Sequence, residues 1–266
     1  MNTDKLTAIV TGGSSGIGKC VCRHLADQGI TVYEFSRTDR PASGVVHIDA
    51  DVTCESSIIT AVNRVYECEG RIDILVNCAG FGISGAIEYT DTEDAIRQLD
   101  VNFFGTVRTT KAVLGIMRRA AKGRIVNISS VAGPIPIPFQ AFYSSSKAAI
   151  NDYTMALANE VRPYGITVCA IQPGDIASGF TDARKKEIAG DDEYGGRISR
   201  SVAVMEHDER NGMSPDTAGA YIAKIALRKK VKPLYAIGFQ YKAFAVIMKI
   251  LPCRLSNWIL SIIYAK

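Results

Sequence analysis

Tyr143 and Lys147 stand four residues apart in Tyr143-Ser144-Ser145-Ser146-Lys147. In a helix this spacing puts the phenol and the ammonium on one face, one turn apart. Such a pair suits proton transfer. A free tyrosine titrates near about 10, too high for an efficient base at neutrality, and a neighbouring positive charge stabilises its phenolate. The YxxxK spacing also arises by chance, so a third group matters. Ser130 lies thirteen residues before Tyr143, just past the apolar run Arg124 to Ile128, where its hydroxyl can hold a substrate oxygen. Ser129 is the rival, and strand alternation sends the two side chains to opposite sides.

A second cluster follows the apolar run Leu6 to Val10: Thr11-Gly12-Gly13-Ser14-Ser15-Gly16-Ile17-Gly18. Glycines permit a tight turn and bring backbone N–H groups and a helix N-terminus against a pyrophosphate. A strand before it and a helix after it distinguish this loop from an ordinary glycine turn. The next apolar run ends in Phe35-Ser36-Arg37-Thr38. A dinucleotide-binding fold with an NAD preference places an acidic residue there to hold the ribose 2′-hydroxyl. Ser36 and Arg37 suit a 2′-phosphate instead, because a guanidinium matches its geometry and charge. NADP(H) is therefore expected over NAD(H), the alternative being that Arg37 is a solvated loop cation. Glu34 is expected to point away from its strand neighbours and not to serve as the ribose ligand.

These residues need a scaffold. Strand-length apolar runs occur at Leu6 to Val10, Thr31 to Phe35, Val45 to Ile48, Ile72 to Val76, Arg124 to Ile128, Ile166 to Ile171 and Leu234 to Ile237. Helix-length segments alternate with them: Ile17 to Gln28, Glu55 to Glu67, Ala95 to Ala120 and Ala141 to Arg162. Apolar strands separated by crossover helices imply a parallel sheet covered on both faces. The expected architecture is a single-domain α/β fold, a doubly wound Rossmann-type parallel sheet with a C-terminal helical extension, spanning 1–266. Its ligand crevice lies at the carboxyl ends of the strands, where each of these clusters falls.

The TGxxxGxG loop, Asn77-Cys78-Ala79-Gly80, Asp100-Val101-Asn102, Ser130, YxxxK and Pro173-Gly174-Asp175-Ile176-Ala177-Ser178 occur in the order of the classical short-chain dehydrogenase/reductase family. The chain resembles that family over about residues 5 to 240. The resemblance implies cofactor contacts from Gly12, Ser14, Ser15, Gly16, Ile17, Gly18, Ser36, Arg37, Asp51, Val52, Asn77, Ala79, Gly80, Tyr143, Lys147, Pro173, Gly174, Ile176 and Ser178. Asp51-Val52 would meet the adenine, and Ser178 stands where the family has threonine. Cys78 departs from the family's Asn-Asn-Ala-Gly. The implied catalytic set is Asn102, Ser130, Tyr143 and Lys147, with Asn102 holding a water between Lys147 and solvent. The implied reaction is hydride transfer between nicotinamide and a carbinol carbon: Tyr143 moves the hydroxyl proton and Ser130 orients the oxygen. A homodimer or homotetramer is the family expectation.

The substrate is less directly written. Gly133-Pro134-Ile135-Pro136-Ile137-Pro138-Phe139 is apolar and stiffened by three prolines. Ile135, Ile137 and Phe139 would wall a lipophilic ligand alongside Ser130 and Tyr143. Phe81, Ile83 and a segment over about 179–213 would face them as a substrate lid, although the charge run in that segment equally fits a solvated helix. DVNFFGTVR and the C-terminal extension are similar to the hydroxysteroid and retinol dehydrogenase branch, which implies a hydroxysteroid or bile-acid-like substrate. A 3-oxoacyl or general carbonyl reductase is the alternative, and a nucleotide-sensing or scaffold protein is the non-enzyme alternative.

Composition narrows the field. Seven cysteines without CxxC spacing and three scattered histidines argue against a disulfide framework or a metal site. The polar start Met1 to Lys5, followed by a short apolar run, does not resemble a signal peptide, so a cytoplasmic location is expected. Residues 217–266 hold nine Lys or Arg and no Asp or Glu within a net charge of +4. Within 239–264, Pro252 divides an apolar stretch containing Lys242, Lys249, Arg254 and Trp258 into two short helical pieces. These pieces are too short to span a bilayer but suit either peripheral membrane contact or cover for a pocket or subunit interface. No nucleic-acid motif accompanies the charge, so nucleic acid is not an expected partner.

Overall fold

The computed structural model describes residues 5–265, the side chains of Ala245 and Lys249 excepted. Met1 to Asp4 and the Lys249 side chain, both part of the sequence reading, lie outside the described residues. The strands are β1 (Thr7–Thr11), β2 (Thr31–Ser36), β3 (Val46–Asp49), β4 (Ile74–Asn77), β5 (Ile83–Ser84), β6 (Gly123–Ile128), β7 (Ile166–Gln172), β8 (Lys185–Lys186) and β9 (Leu234–Ala236). The helices are α1 (Gly16–Ala26), α2 (Glu55–Glu69), α3 (Thr92–Leu99), α4 (Gly105–Arg119), α5 (Ala141–Val161), α6 (Phe180–Ala183), α7 (Arg197–Arg210), α8 (Pro215–Ala226), α9 (Phe239–Ile250) and α10 (Cys253–Tyr264).

Seven strands form one parallel sheet in the order β3-β2-β1-β4-β6-β7-β9. All seven runs expected from the sequence are in it. Their side chains alternate between two apolar layers. Ile9, Leu75, Ile125 and Val168 pack towards α2, α4 and α5. Ala8, Val10, Val76, Val126 and Cys169 share the other layer with Val21 and Leu25 of α1 and Ile222 of α8. Burial on both faces explains the near-continuous apolar strands. The sheet grows outward in both directions from β1 and β4, so the connections leaving these strands part and open a crevice at their carboxyl ends.

One feature departs from the sequence expectation, and two segments that the sequence left open can be described. The single helix anticipated over Ala95 to Ala120 is two helices joined by a π-helical turn at Asp100–Phe104. The region over 179–213 is a built structure, containing α6, α7 and β8, which pairs in parallel with β5. The tail divides at Pro252 into α9 and α10, and α9 leans on the sheet end: the Tyr241 ring occupies the space where a Cβ on Gly174 would stand, 2.2 Å from the nearest ring carbon. Leu260 of α10 is buried.

Candidate active site

The loop after β1 is shaped by close backbone approach. Gly12 has φ +68, and a Cβ there would stand 2.9 Å from the Ala79 Cα, while one on Gly18 would stand 2.3 Å from the Gly12 carbonyl oxygen. The Thr11 hydroxyl accepts hydrogen bonds from the N–H groups of Cys78 and Ala79, clamping the β1 and β4 loops together. Around Gly16 (φ +51) a Cβ would meet nothing within 4 Å, and Gly16 lines the main cleft. Ser15, at the start of α1, makes no side-chain capping bond, and the first turn holds no acid. The amino end of α1 thus presents uncapped N–H groups and an unopposed dipole, which fits a pyrophosphate. Gly12, Ser15, Gly16, Ile17 and Gly18 line the cleft, and Ser14 is not among its lining residues.

At the end of β2, the Ser36 hydroxyl donates to the Thr38 carbonyl (2.9 Å) and lies 3.3 Å from Glu34 Oε1. Glu34 therefore shares a side with Ser36, contrary to the sequence reading, because strand residues two apart face the same way. It remains unsuited to a ribose: its carboxylate is buried beneath Gly13 and paired with His47. Asp51 accepts from the N–H and hydroxyl of Thr53 at 2.9 and 2.8 Å. Burial works against its charge, but these bonds and the nearby Arg37 and Arg108 outweigh it and hold the carboxyl below its usual range. Arg37 is thus close to Asp51 at this end of the crevice. Val52 and Asn77 serve the scaffold. Val52 packs where a side chain on Gly105 would stand, and the Asn77 amide donates to Thr110 and Asn127, bracing β4 against α4 and β6.

The catalytic residues expected from the sequence converge. Ser130 is hydrogen-bonded to the Tyr143 phenol, and Lys147 Nζ lies 5.6 Å from the Tyr143 ring centre. Lys147 donates to the Ile128 carbonyl (2.8 Å), and burial lowers it to about 8. Burial pushes Tyr143 up to about 12, opposed by the Ser130 bond and the Arg184 charge and reinforced by Glu209 and Asp175. Ser129 turns its hydroxyl to the Lys147 carbonyl, 2.9 Å away, as alternation requires. Asn102, fully buried in the π-helical turn, does not line the cleft. Its amide exchanges hydrogen bonds with the Phe81 backbone, both at 3.0 Å, and donates to Ser146 at 3.1 Å. It holds the Gly80-Phe81 loop and α5 together beside Lys147.

A family model described as short chain dehydrogenase matches residues 6–189. The chain belongs to the short-chain dehydrogenase family. A curated 3-ketodihydrosphingosine reductase of Bacteroides thetaiotaomicron is 43% identical over 97% of both chains. The short-chain reductase protein NovJ of Streptomyces niveus is 36% identical, over 74% of this chain and 79% of its own. Among solved structures, a short-chain dehydrogenase from Streptomyces avermitilis superposes with a TM-score of 0.81 at 28% identity over 96% of each chain. ElxO with NADP bound gives a TM-score of 0.75 at 26% identity, covering 90% of this chain and 99% of that one.

In this short-chain dehydrogenase the cleft has a volume of about 410 Å³. Cys78, Ala79, Gly80, Pro173, Gly174, Ile176 and Ser178 line it, together with Ser130, Tyr143 and Lys147. Of the three apolar wall residues read from the sequence, Ile137 lines the cleft. Ile135 is instead buried in the interior, and Phe139, at φ +58, stacks edge-on to Tyr194 at 5.9 Å. Phe81 lines the cleft as expected, whereas Ile83 is buried in β5. Several cleft residues escaped the sequence reading. Phe180 tilts against Tyr143 at 5.7 Å, and Gln140, Asp175 and Glu209 also form the wall. Glu209 pairs with the buried Arg184 and accepts from Thr181 (2.7 Å). Asp175 accepts from the Tyr241 hydroxyl (2.6 Å), and burial raises its carboxyl, against the Tyr241 bond and with the help of Asp208 and Glu209. No metal-ligating group of three or more His, Cys, Asp or Glu occurs among the described residues.

Proposed function

We propose that this protein is an NADPH-dependent ketone reductase acting on a long-chain amino ketone of the 3-ketodihydrosphingosine kind. The observation that carries the reading is the 43% identity to the Bacteroides reductase over nearly the whole of both chains. The compound in that name has a ketone flanked on one side by an amino-bearing carbon and a hydroxymethyl group, and on the other by a saturated chain. The cleft offers matching chemistry. Phe81, Ile137 and Phe180 supply apolar wall, Glu209 is paired with Arg184, and Asp175 brings a further carboxyl close enough to Tyr143 to disfavour its phenolate. An ammonium next to the reacting carbonyl would answer that negative charge. A linear lipid is preferred on this ground to the hydroxysteroid that the wording of the motifs implied.

NADPH would supply the hydride. The loop from Gly12 to Gly18 and the amino end of α1 would hold its pyrophosphate, and Arg37 would pair with its 2′-phosphate. Ser130 donates a hydrogen bond to the ketone oxygen, and Tyr143, protonated across the neutral range, gives that oxygen its proton. Lys147, held by the Ile128 carbonyl, places a positive charge beside the phenolate that results. The test is NADPH consumption with 3-ketodihydrosphingosine, a keto-steroid and an acetoacetyl thioester, repeated with NADH. The expected outcome is at least roughly tenfold higher kcat/KM for the amino ketone with NADPH, a margin of about 1.4 kcal/mol in transition-state binding. Higher kcat/KM with the steroid or thioester overturns the substrate, and preference for NADH overturns the cofactor.

A further inference from the structure

The C-terminal helices α9 and α10 bury one side and leave an apolar side uncovered. Tyr241 rests on Gly174 and Leu260 is buried, so both helices are anchored to the body. Away from these contacts, Phe239, Val246 and Ile250 of α9 are 86%, 58% and 78% exposed. On α10, Leu255, Trp258 and Ile263 are exposed as well. Spacings of seven and four residues keep the α9 set on one side of its helix, and a spacing of three keeps Leu255 and Trp258 together on α10, with Ile263 at the flank between them and the buried Leu260. Lys242 lies one turn before Val246 and Arg254 one turn before Trp258, so a cation borders each apolar set. Both cations are exposed.

Charge decides what covers this face. From Phe239 to the end of the chain there are four lysines or arginines and no aspartate or glutamate. A two-fold contact between copies built on these helices would set cation against cation with no acid on either helix to answer them. An anionic lipid surface answers both properties: acyl chains accept the aliphatic side chains and Trp258, and headgroups accept Lys242 and Arg254. Each helix has 12 residues, about 18 Å at the standard rise, so the helices lie on a bilayer and do not cross it. No described helix is long and apolar enough to cross a membrane.

We propose that α9 and α10 form a docking face that seats the protein on anionic membranes. The proposal rests on the exposed face and its charge, and stands whichever ketone is reduced. Trp258 is the only tryptophan in the chain, so its emission reports this face without labelling. The experiment uses the full chain with vesicles of phosphatidylcholine alone or mixed with phosphatidylglycerol, reading co-sedimentation and Trp258 emission. The expected result is pelleting and a blue-shifted emission with the anionic vesicles, both reversed by high salt. The double variant Val246→Glu with Ile250→Glu should stay in the supernatant with unshifted emission. Lys242→Gln with Arg254→Gln, two exposed substitutions that keep the fold, should lower the partition coefficient about fivefold per charge removed, at about 1 kcal/mol for each basic residue near the surface. Absence of pelleting with anionic vesicles overturns the proposal, as does equal pelleting of wild type and the charge variant. Self-association in light scattering that Ile250→Glu abolishes, without vesicle binding, would assign the face to a second copy instead.

Discussion

Replacing Lys147 with methionine should destroy the activity and stabilise the cofactor-free fold near neutrality. Lys147 is buried, and the desolvation of its ammonium lowers it from the ordinary 10.5 to about 8. Below about 8 the folded protein keeps that charge in its interior, at a cost absent from the unfolded chain. The unfolded state binds the extra proton between about 8 and 10.5, so the contribution of Lys147 to stability rises with pH across that window. At about 1.4 kcal/mol for each pH unit, the change amounts to about 3 kcal/mol. Methionine has similar length and no charge, so Lys147→Met escapes the penalty but forfeits the hydrogen bond to the Ile128 carbonyl, typically worth about 1 kcal/mol. The variant should be about 2 kcal/mol more stable than wild type at pH 7, and the advantage should shrink and reverse as the pH approaches 10.5. Urea unfolding of both proteins at a series of pH values, taken as a difference so that other titrations cancel, measures this directly. A difference that does not change between pH 7 and 10, or one that grows, would refute the assignment of Lys147 as a charge held against its desolvation.

Other consequences concern the cofactor and the substrate. Gly18→Ala would place a methyl group 2.3 Å from the Gly12 carbonyl oxygen; at about 1–3 kcal/mol for such overpacking, NADPH affinity should fall roughly tenfold or more by calorimetric titration. Arg37→Ala should weaken NADPH roughly tenfold or more and leave NADH affinity unchanged, because only one cofactor carries the phosphate; equal losses for both would remove Arg37 from the 2′ position. Asp175→Asn keeps an acceptor for the Tyr241 hydroxyl and deletes the charge. It should raise KM for the amino ketone roughly tenfold relative to its amine-free analogue, at about 1.5 kcal/mol for a charge-assisted contact. Identical changes for the two substrates would show that Asp175 does not read the amino group.

The clustering of Tyr143, Lys147 and Ser130 was legible because its geometry is local. Tyr143 and Lys147 are one helical turn apart, and the TGxxxGxG loop fixes its own close approaches at Gly12 and Gly18. Ser130 was reachable through its thirteen-residue spacing to Tyr143, and strand alternation predicted the opposite fate of Ser129. Alternation misapplied to Glu34 gave the wrong side, although the conclusion that it is no ribose ligand survives through its burial with His47. Residues that depend on remote partners were not legible. Asp175 meets Tyr241 across 66 positions and Thr181 meets Glu209 across 28, and no periodicity records such contacts. The π-helical turn around Asn102 keeps the sequence pattern of the helices it joins, so it reads as continuous helix. In the proline-rich segment, the sequence showed stiffness but not direction: a positive φ at Phe139 swings its ring to Tyr194, leaving Ile137 as the wall residue.

Under the proposed function Tyr143 would deliver a proton to the ketone oxygen, and NADPH, when bound, would supply the hydride. Single-turnover NADPH oxidation by wild type and Tyr143→Phe with 3-ketodihydrosphingosine, alongside calorimetric NADPH binding, tests it most directly. Unchanged cofactor affinity and a rate lower by a factor on the order of 100 or more are expected in the variant, the usual weight of a positioned general acid. Oxidation by Tyr143→Phe at a rate close to wild type would contradict it.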